Sequence, residues 1–140
     1  MSADAAPALQ AALYGVLKAV LVDVSPPLAE VYDFAPEDAV FPYITLGEDT
    51  AVDDGCKTNT GQEHTVTLHV WDSVMAGAAG KMRAKGILAA VYDALHEKSF
   101  SITGHALVSC RLDFAGSVDR DADGQIWHGV VRYRIQTEPS

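Results

Sequence analysis

The sequence predicts an α+β domain. It should hold a single, mainly antiparallel sheet of four to five strands, with two helices packed on one face, in the order α-β-β-α-β-β. Three observations predict this. Two segments, 5–24 and about 76–97, carry apolar residues at the helical period. Four others alternate apolar and polar residues at period two. Each helix then has one apolar stripe and each strand one apolar face, and a sheet covered on one side buries all of them.

In the first segment Leu9, Leu13, Val16, Leu17, Val20, Leu21 and Val24 form one stripe. Asp4 or Pro7 starts the helix, and Ser25-Pro26-Pro27 ends it. Residues 28–41 read as a loop with a short extended piece at Val31-Tyr32. Phe41–Leu46 reads as a strand, with Ile44 and Leu46 opposite Tyr43 and Thr45. Residues 48–61, rich in Asp, Gly, Thr and Asn, read as a long mobile loop. In 62–71, His64, Val66, Leu68 and Val70 alternate with Thr65, Thr67, His69 and Trp71. The second helix carries Ala84, Leu88, Val91 and Leu95, flanked by Met82 and Ile87. The strand over 105–117 places Ala106, Val108, Cys110, Leu112 and Phe114 on one face. The strand over 125–137 places Trp127, Val131, Tyr133 and Ile135 opposite His128, Arg132 and Arg134. Asp123-Gly124 between them is a hairpin signal. The predicted uncovered face is polar and aromatic, as a partly buried subunit contact would be.

The chain has 140 residues, which suits one domain over 1–140. It is 49% hydrophobic and 21% charged, the composition of a globular protein and not of a disordered one. Its net charge is −9, and the imbalance is local: residues 1–60 hold ten acids and two bases, with no Lys or Arg between Lys18 and Lys57. Gripping phosphates needs basic residues, so tight binding of nucleic acid or of an anionic membrane is not expected. DNA passing nearby is compatible, because an acidic wall repels it. No apolar run approaches the ~18–20 residues that cross a bilayer. The Met1–Asp4 start has no basic segment, so no secretory signal is expected. Cys56 and Cys110 stand far apart and in no CxxC pattern, which fits a reducing compartment.

The residues offer little chemistry. Asp119, Asp121, Asp123 and Gly124 match the first half of a calcium loop, but Val130 stands where its bidentate Glu belongs. An acidic hairpin tip is the better reading. The five histidines show no zinc spacing, and His64 and His69 fall on opposite strand faces. No nucleophile elbow, P-loop or dinucleotide fingerprint is present. Cys110 faces the core, and Cys56 lies among acids that raise a thiol pKa. Glu48, Asp49, Asp53 and Asp54 suit a solvated or interface charge cluster better than an acid/base pair, because no apolar pocket tunes them. No catalytic, cofactor or metal residue is assigned, and an enzyme is not expected. The alternative is a small α+β enzyme or ligand-binding domain using the acidic 48–54 loop.

Several segments together carry a resemblance. They are Val31-Tyr32-Asp33, Pro36 and the run Phe41–Asp49; Lys57-Thr58 and the run Glu63–Trp71; Val91–His96; Val108–Arg111; and Asp123-Gly124 with the run His128–Arg134. This pattern resembles the tail-terminator (tail-completion) proteins of long-tailed phages and gene transfer agents, in the alphaproteobacterial, Rhodobacter-like branch. It covers nearly the whole chain through many weak positions and no single signature. The resemblance implies a virion structural protein without cofactors or enzyme activity. It implies a homo-hexameric ring at the head–tail junction that caps the head-proximal end of the tail tube, ends tube polymerisation and meets the head-completion (stopper) protein. Double-stranded DNA would pass through the ring without tight binding, no membrane would be involved, and assembly would take place in the bacterial cytoplasm. Within that picture Glu48, Asp49, Asp53, Asp54, Lys57, Trp71, Arg132 and Arg134 are expected to meet a neighbouring subunit or the tail tube.

Overall fold

A computed structural model describes residues 4–55, 61–78, 80–116, 118–121 and 123–140. The elements are α1 (Ala6–Leu17), β1 (Glu30–Tyr32), β2 (Tyr43–Asp53), β3 (Gln62–Ser73), α2 (Met82–Leu95), β4 (His105–Ala115), β5 (Asp119–Arg120) and β6 (Ile126–Pro139). The predicted α+β class and helix-covered sheet are observed, with six strands among the described residues instead of four or five. The strand order is β1-β2-β3-β6-β4, with β5 also paired to β6. Among the described residues, β1–β2 is the one parallel pairing. No described helix is long and apolar enough to cross a membrane.

The first helix is shorter than its periodicity suggests. After Leu17 the chain widens into a π-helical turn over Lys18–Val22. That turn keeps Leu21 buried, but Val24 at its exit is 36% exposed. Asp4 Oδ1 accepts from the Ala6 N–H at 3.1 Å, and Gln62 Oε1 accepts from the Ala5 N–H at 2.8 Å. Two orphan N–H groups of the helix start are thereby satisfied, and α1 is tied to β3. The second helix begins at Met82, later than expected, because a 3-10 turn over Val74–Ala76 and Gly77 at φ +97° intervene. Ala84, Ile87, Val91 and Leu95 are its buried stripe, while Met82 is 85% exposed.

The largest correction falls on the acidic segment. Residues 48–53 are not a mobile loop but the second half of β2. Asp49, Thr50, Ala51, Val52 and Asp53 pair with Val66, Thr65, His64, Glu63 and Gln62. Polar composition suggested a loop, but cross-strand hydrogen bonding overrides it. Between Leu46 and Asp49 the ladder shifts register, so Gly47 and Glu48 together oppose Thr67. The connection is therefore 54–61, of which Cys56, Lys57 and Asn59 lie outside the described residues.

Two register shifts also correct β4. They fall between Leu107 and Ser109 and between Leu112 and Phe114. Strict alternation placed Val108 and Phe114 on the core face; both are about half exposed, at 54% and 49%. Cys110 keeps its core position at 1% exposure, and burial pushes its thiol pKa up to about 12. Beyond β4, Gly116 N–H donates to Val130 O and β5 pairs with His128 and Trp127. Val118, between them, is buried against Gly129, where an added Cβ would stand 2.8 Å from Val70 Cγ1 and 3.0 Å from Val118 Cγ2. The acidic tip after β5 is a turn: Asp121 Oδ1 accepts from the N–H groups of Gln125 and Ile126, and Gly124 has φ +71°.

The core lies between the helices and one sheet face. It includes Leu9, Leu13, Leu17, Ile44, Leu68, Val70, Val91, Leu95, Val131 and Ile135. Asp72 is fully buried there and accepts from Arg83 Nε at 2.7 Å and Nη2 at 2.5 Å, pinning the first turn of α2 to the end of β3.

Candidate interaction surface

Among the described residues, no helix covers the sheet face opposite α1 and α2. Tyr43, Thr45, Thr65, Thr67, His69, Trp71, His128, Arg132 and Arg134 project from it, as the pairings Tyr43↔Trp71↔His128 and Thr65↔Arg134 require. At its centre the indole of Trp71 stacks on His128 with ring centroids 3.9 Å apart and planes 1° apart. The indole Nε1–H donates to Thr45 Oγ1 at 3.1 Å.

A hydrogen-bonded chain crosses three strands beside that stack. His69 Nε2 lies 2.7 Å from Glu48 Oε1, and His69 Nδ1 lies 2.8 Å from His128 Nε2. An ionised carboxylate only accepts, so His69 Nε2 carries the proton facing Glu48. With His69 neutral, its Nδ1 accepts from His128 Nε2–H, and the tautomers of both rings follow. Burial, then the neighbouring His69, hold His128 below the usual imidazole range against the pull of Glu48. Glu48 is held below the usual carboxylate range by its own backbone N–H and by His69. The bulge explains how Glu48 reaches the chain. Gly47 sits so close to the imidazole that an added Cβ would stand 2.5 Å from His69 Cδ2.

Towards β4 the same face carries an ion-pair group. Arg134 Nη2 donates to Asp113 Oδ1 at 3.0 Å and Arg134 Nε lies 3.9 Å from Glu63. Arg132 Nε lies 3.3 Å from Asp113 Oδ2, and its guanidinium stacks over Phe114 at 5.4 Å. One aspartate is thus shared by two arginines.

The residues singled out by sequence are therefore divided. Glu48, Trp71, Arg132 and Arg134 lie together on the uncovered face. Asp54 joins its far end, where Gln136 Nε2 donates to Asp54 Oδ2 at 2.9 Å. Asp49 and Asp53 share the parity of Val66 and Gln62 across the ladder and fall on the helix side. An acid/base pair built from all four carboxylates of the 48–54 segment loses its geometry, because the strand sends them to two sides. Lys57 lies outside the described residues. Sequence reasoning missed His69 and His128 as partners. The signal was present in their common polar face, but the β3–β6 pairing that joins them was not.

Comparison with known proteins places this geometry. A family model described as "Tail completion protein gp17" matches residues 7–138, from the first turn of α1 to the end of β6. The chain is 29% identical over 106 residues to the tail completion protein gp17 of Bacillus phage SPP1, covering 76% of this chain and 75% of that protein. It is also similar, with a TM-score of 0.82 and 30% identity over 98% of this chain and 99% of the other, to a chain in the virion of a native gene transfer agent particle. With the match spanning nearly every element of the fold, the chain belongs to the tail completion protein gp17 family.

Proposed function

We propose that this protein is a virion structural subunit that forms a hexameric ring on the head-proximal end of the tail tube. The ring ends tube polymerisation and joins the tail to the head-completion protein, and duplex DNA passes through its centre. The observation that carries this reading is the family match over residues 7–138, which takes in both the core and the uncovered sheet face. The similarity to a chain of a gene transfer agent virion supports a place in a particle. The uncovered face supports assembly, because its stacked Trp71–His128 pair and arginine group offer the aromatic and guanidinium surface that interfaces favour. A net charge of −9 per copy supports a channel that lets DNA slide.

The test is electron microscopy of particles produced without this protein. Tails of uncontrolled length, or tails separated from heads, are the expected result. Normal-length tails joined to heads would overturn the reading. A reconstruction of the complete particle showing a symmetry other than sixfold at this layer would overturn the hexamer alone.

A further inference from the structure

Two unlike surfaces lie on opposite edges of the sheet. On one edge, β1 pairs only with Tyr43–Thr45, so among the described residues no strand pairs with the outer side of Leu46–Asp53 of β2. Between this edge and α1 runs a groove of about 620 Å³. Pro7, Ala11, Tyr14 and Leu46 give it apolar walls, and Asp33 and Asp49 add two carboxylates. Among the described residues neither carboxylate has a salt bridge or a side-chain hydrogen bond, and His64 is the one imidazole that feels the charge of Asp49. No Lys or Arg occurs from residue 19 to residue 56, so nothing local in the sequence neutralises them.

The other edge is β4. Its backbone is partly closed: Glu97 N–H donates to Cys110 O and Leu112 N–H donates to His96 Nδ1. That capping disfavours the addition of another strand and leaves side chains as the available contact. Val108 projects there, 54% exposed, beside Lys98 and Arg111. Arg111 is 65% exposed and reaches Glu97 only at 3.6 Å.

An apolar groove with two carboxylates on one edge thus faces outward opposite an exposed aliphatic with two cations on the other. A ring needs heterologous contacts, in which one patch of each copy meets a different patch of the next. Resting on the ring reading above, we infer that the β4 edge of one copy docks on the α1–β2 edge of its neighbour. Val108 enters the groove, and Lys98 and Arg111 face Asp33 and Asp49. The occupant of the groove is a second copy of this chain, because both complementary surfaces are present on it.

The test is cross-linking in assembled particles, in a Cys56→Ser background. Particles built from a chain carrying Asp49→Cys and Val108→Cys are treated with a short bis-maleimide. The expected result is a covalent ladder of this chain extending to six copies, with no ladder from either single-cysteine chain. Both positions are exposed, so the substitutions spare the core. As a second arm, Lys98→Glu/Arg111→Glu should reduce the yield of complete particles, and adding Asp33→Lys/Asp49→Lys to the same chain should restore it. A sixfold ring in the reconstruction without a ladder overturns this edge pairing and leaves the ring reading standing. So does linkage of Asp49→Cys to itself or to the tube protein. Absence of any ring of this chain at the junction overturns both.

Discussion

Replacing Arg83 by Met should destabilise the fold by about 3 kcal/mol. The carboxylate of Asp72 is fully buried, and three N–H groups satisfy it: two from Arg83, at 2.7 and 2.5 Å, and the Ser73 amide at 2.8 Å. Met preserves the aliphatic stem but leaves a buried charge with one donor. Breaking a buried pair from one side costs about 3–5 kcal/mol. The lower end applies here because the Arg83 side chain is itself 39% exposed, so trimming it admits water to Asp72. The variant also loses the 3.0 Å bond from Arg83 Nη2 to Ala76 O, which holds the turn before α2. With a urea m-value of about 2 kcal/mol/M for a chain of this size, the unfolding midpoint should fall by about 1.5 M. The double variant Asp72→Leu/Arg83→Met should be more stable than Arg83→Met alone, since it removes the charge along with its partner. A loss below about 1 kcal/mol for Arg83→Met, or a double variant less stable than the single, would refute the argument that the pair is coupled and buried.

Four further outcomes follow from the same geometry. Gly129→Ala should cost about 1–3 kcal/mol, read in urea titration, because its Cβ would meet Val70 and Val118 at 2.8 and 3.0 Å; a neutral result would mean that β5 shifts freely. Gly47→Ala should displace the His69 ring and break its bond to Glu48, seen as a changed His69 imidazole shift in NMR with global stability less affected. Burial lowers the pKa of both His64 and His128 in the folded chain, so the unfolded chain binds more protons below about pH 6.5. Stability should therefore be full above pH 6.5 and decline on acidification towards the folded-state values; His64→Gln should flatten that decline, and a rise in stability on acidification would contradict it. Duplex DNA should bind weakly at physiological salt with a shallow salt slope, and a sub-micromolar dissociation constant would contradict the reading from charge.

The β2–β3 connection shows why a deletion must respect the observed register. Replacing all of 49–61 by a two-residue turn, which the loop reading of the sequence suggests as harmless, would delete five paired residues of β2. Shortening confined to 54–61 leaves the ladder in place. The broader deletion disturbs the sheet as well as the connection, so only the narrower one tests whether the connection itself makes contacts.

What the sequence determined by itself was the class of fold and the partition of its faces. The stripe through Leu9, Leu13 and Leu17 and the alternation through Val66, Leu68 and Val70 are local periodicities, and burial follows them directly. The same periodicity put Trp71, His128, Arg132 and Arg134 on the uncovered side. Tertiary structure alone decided the rest, because a ladder partner is not a property of the strand that receives it. Asp49–Asp53 became strand because β3 offered hydrogen bonds along its full length, against their own loop-like composition. Bulges at Gly47-Glu48 and within β4 turned Glu48 towards His69 and turned Val108 and Phe114 outward. A one-residue slip in register reverses the face of every side chain beyond it, so alternation read from sequence holds only within one unbroken stretch of ladder, as it does at Cys110 and Leu112 between the two bulges of β4. The sharing of a proton chain by Glu48, His69 and His128 likewise exists only once β2, β3 and β6 lie side by side, bringing together residues that stand 21 and 59 positions apart in the chain.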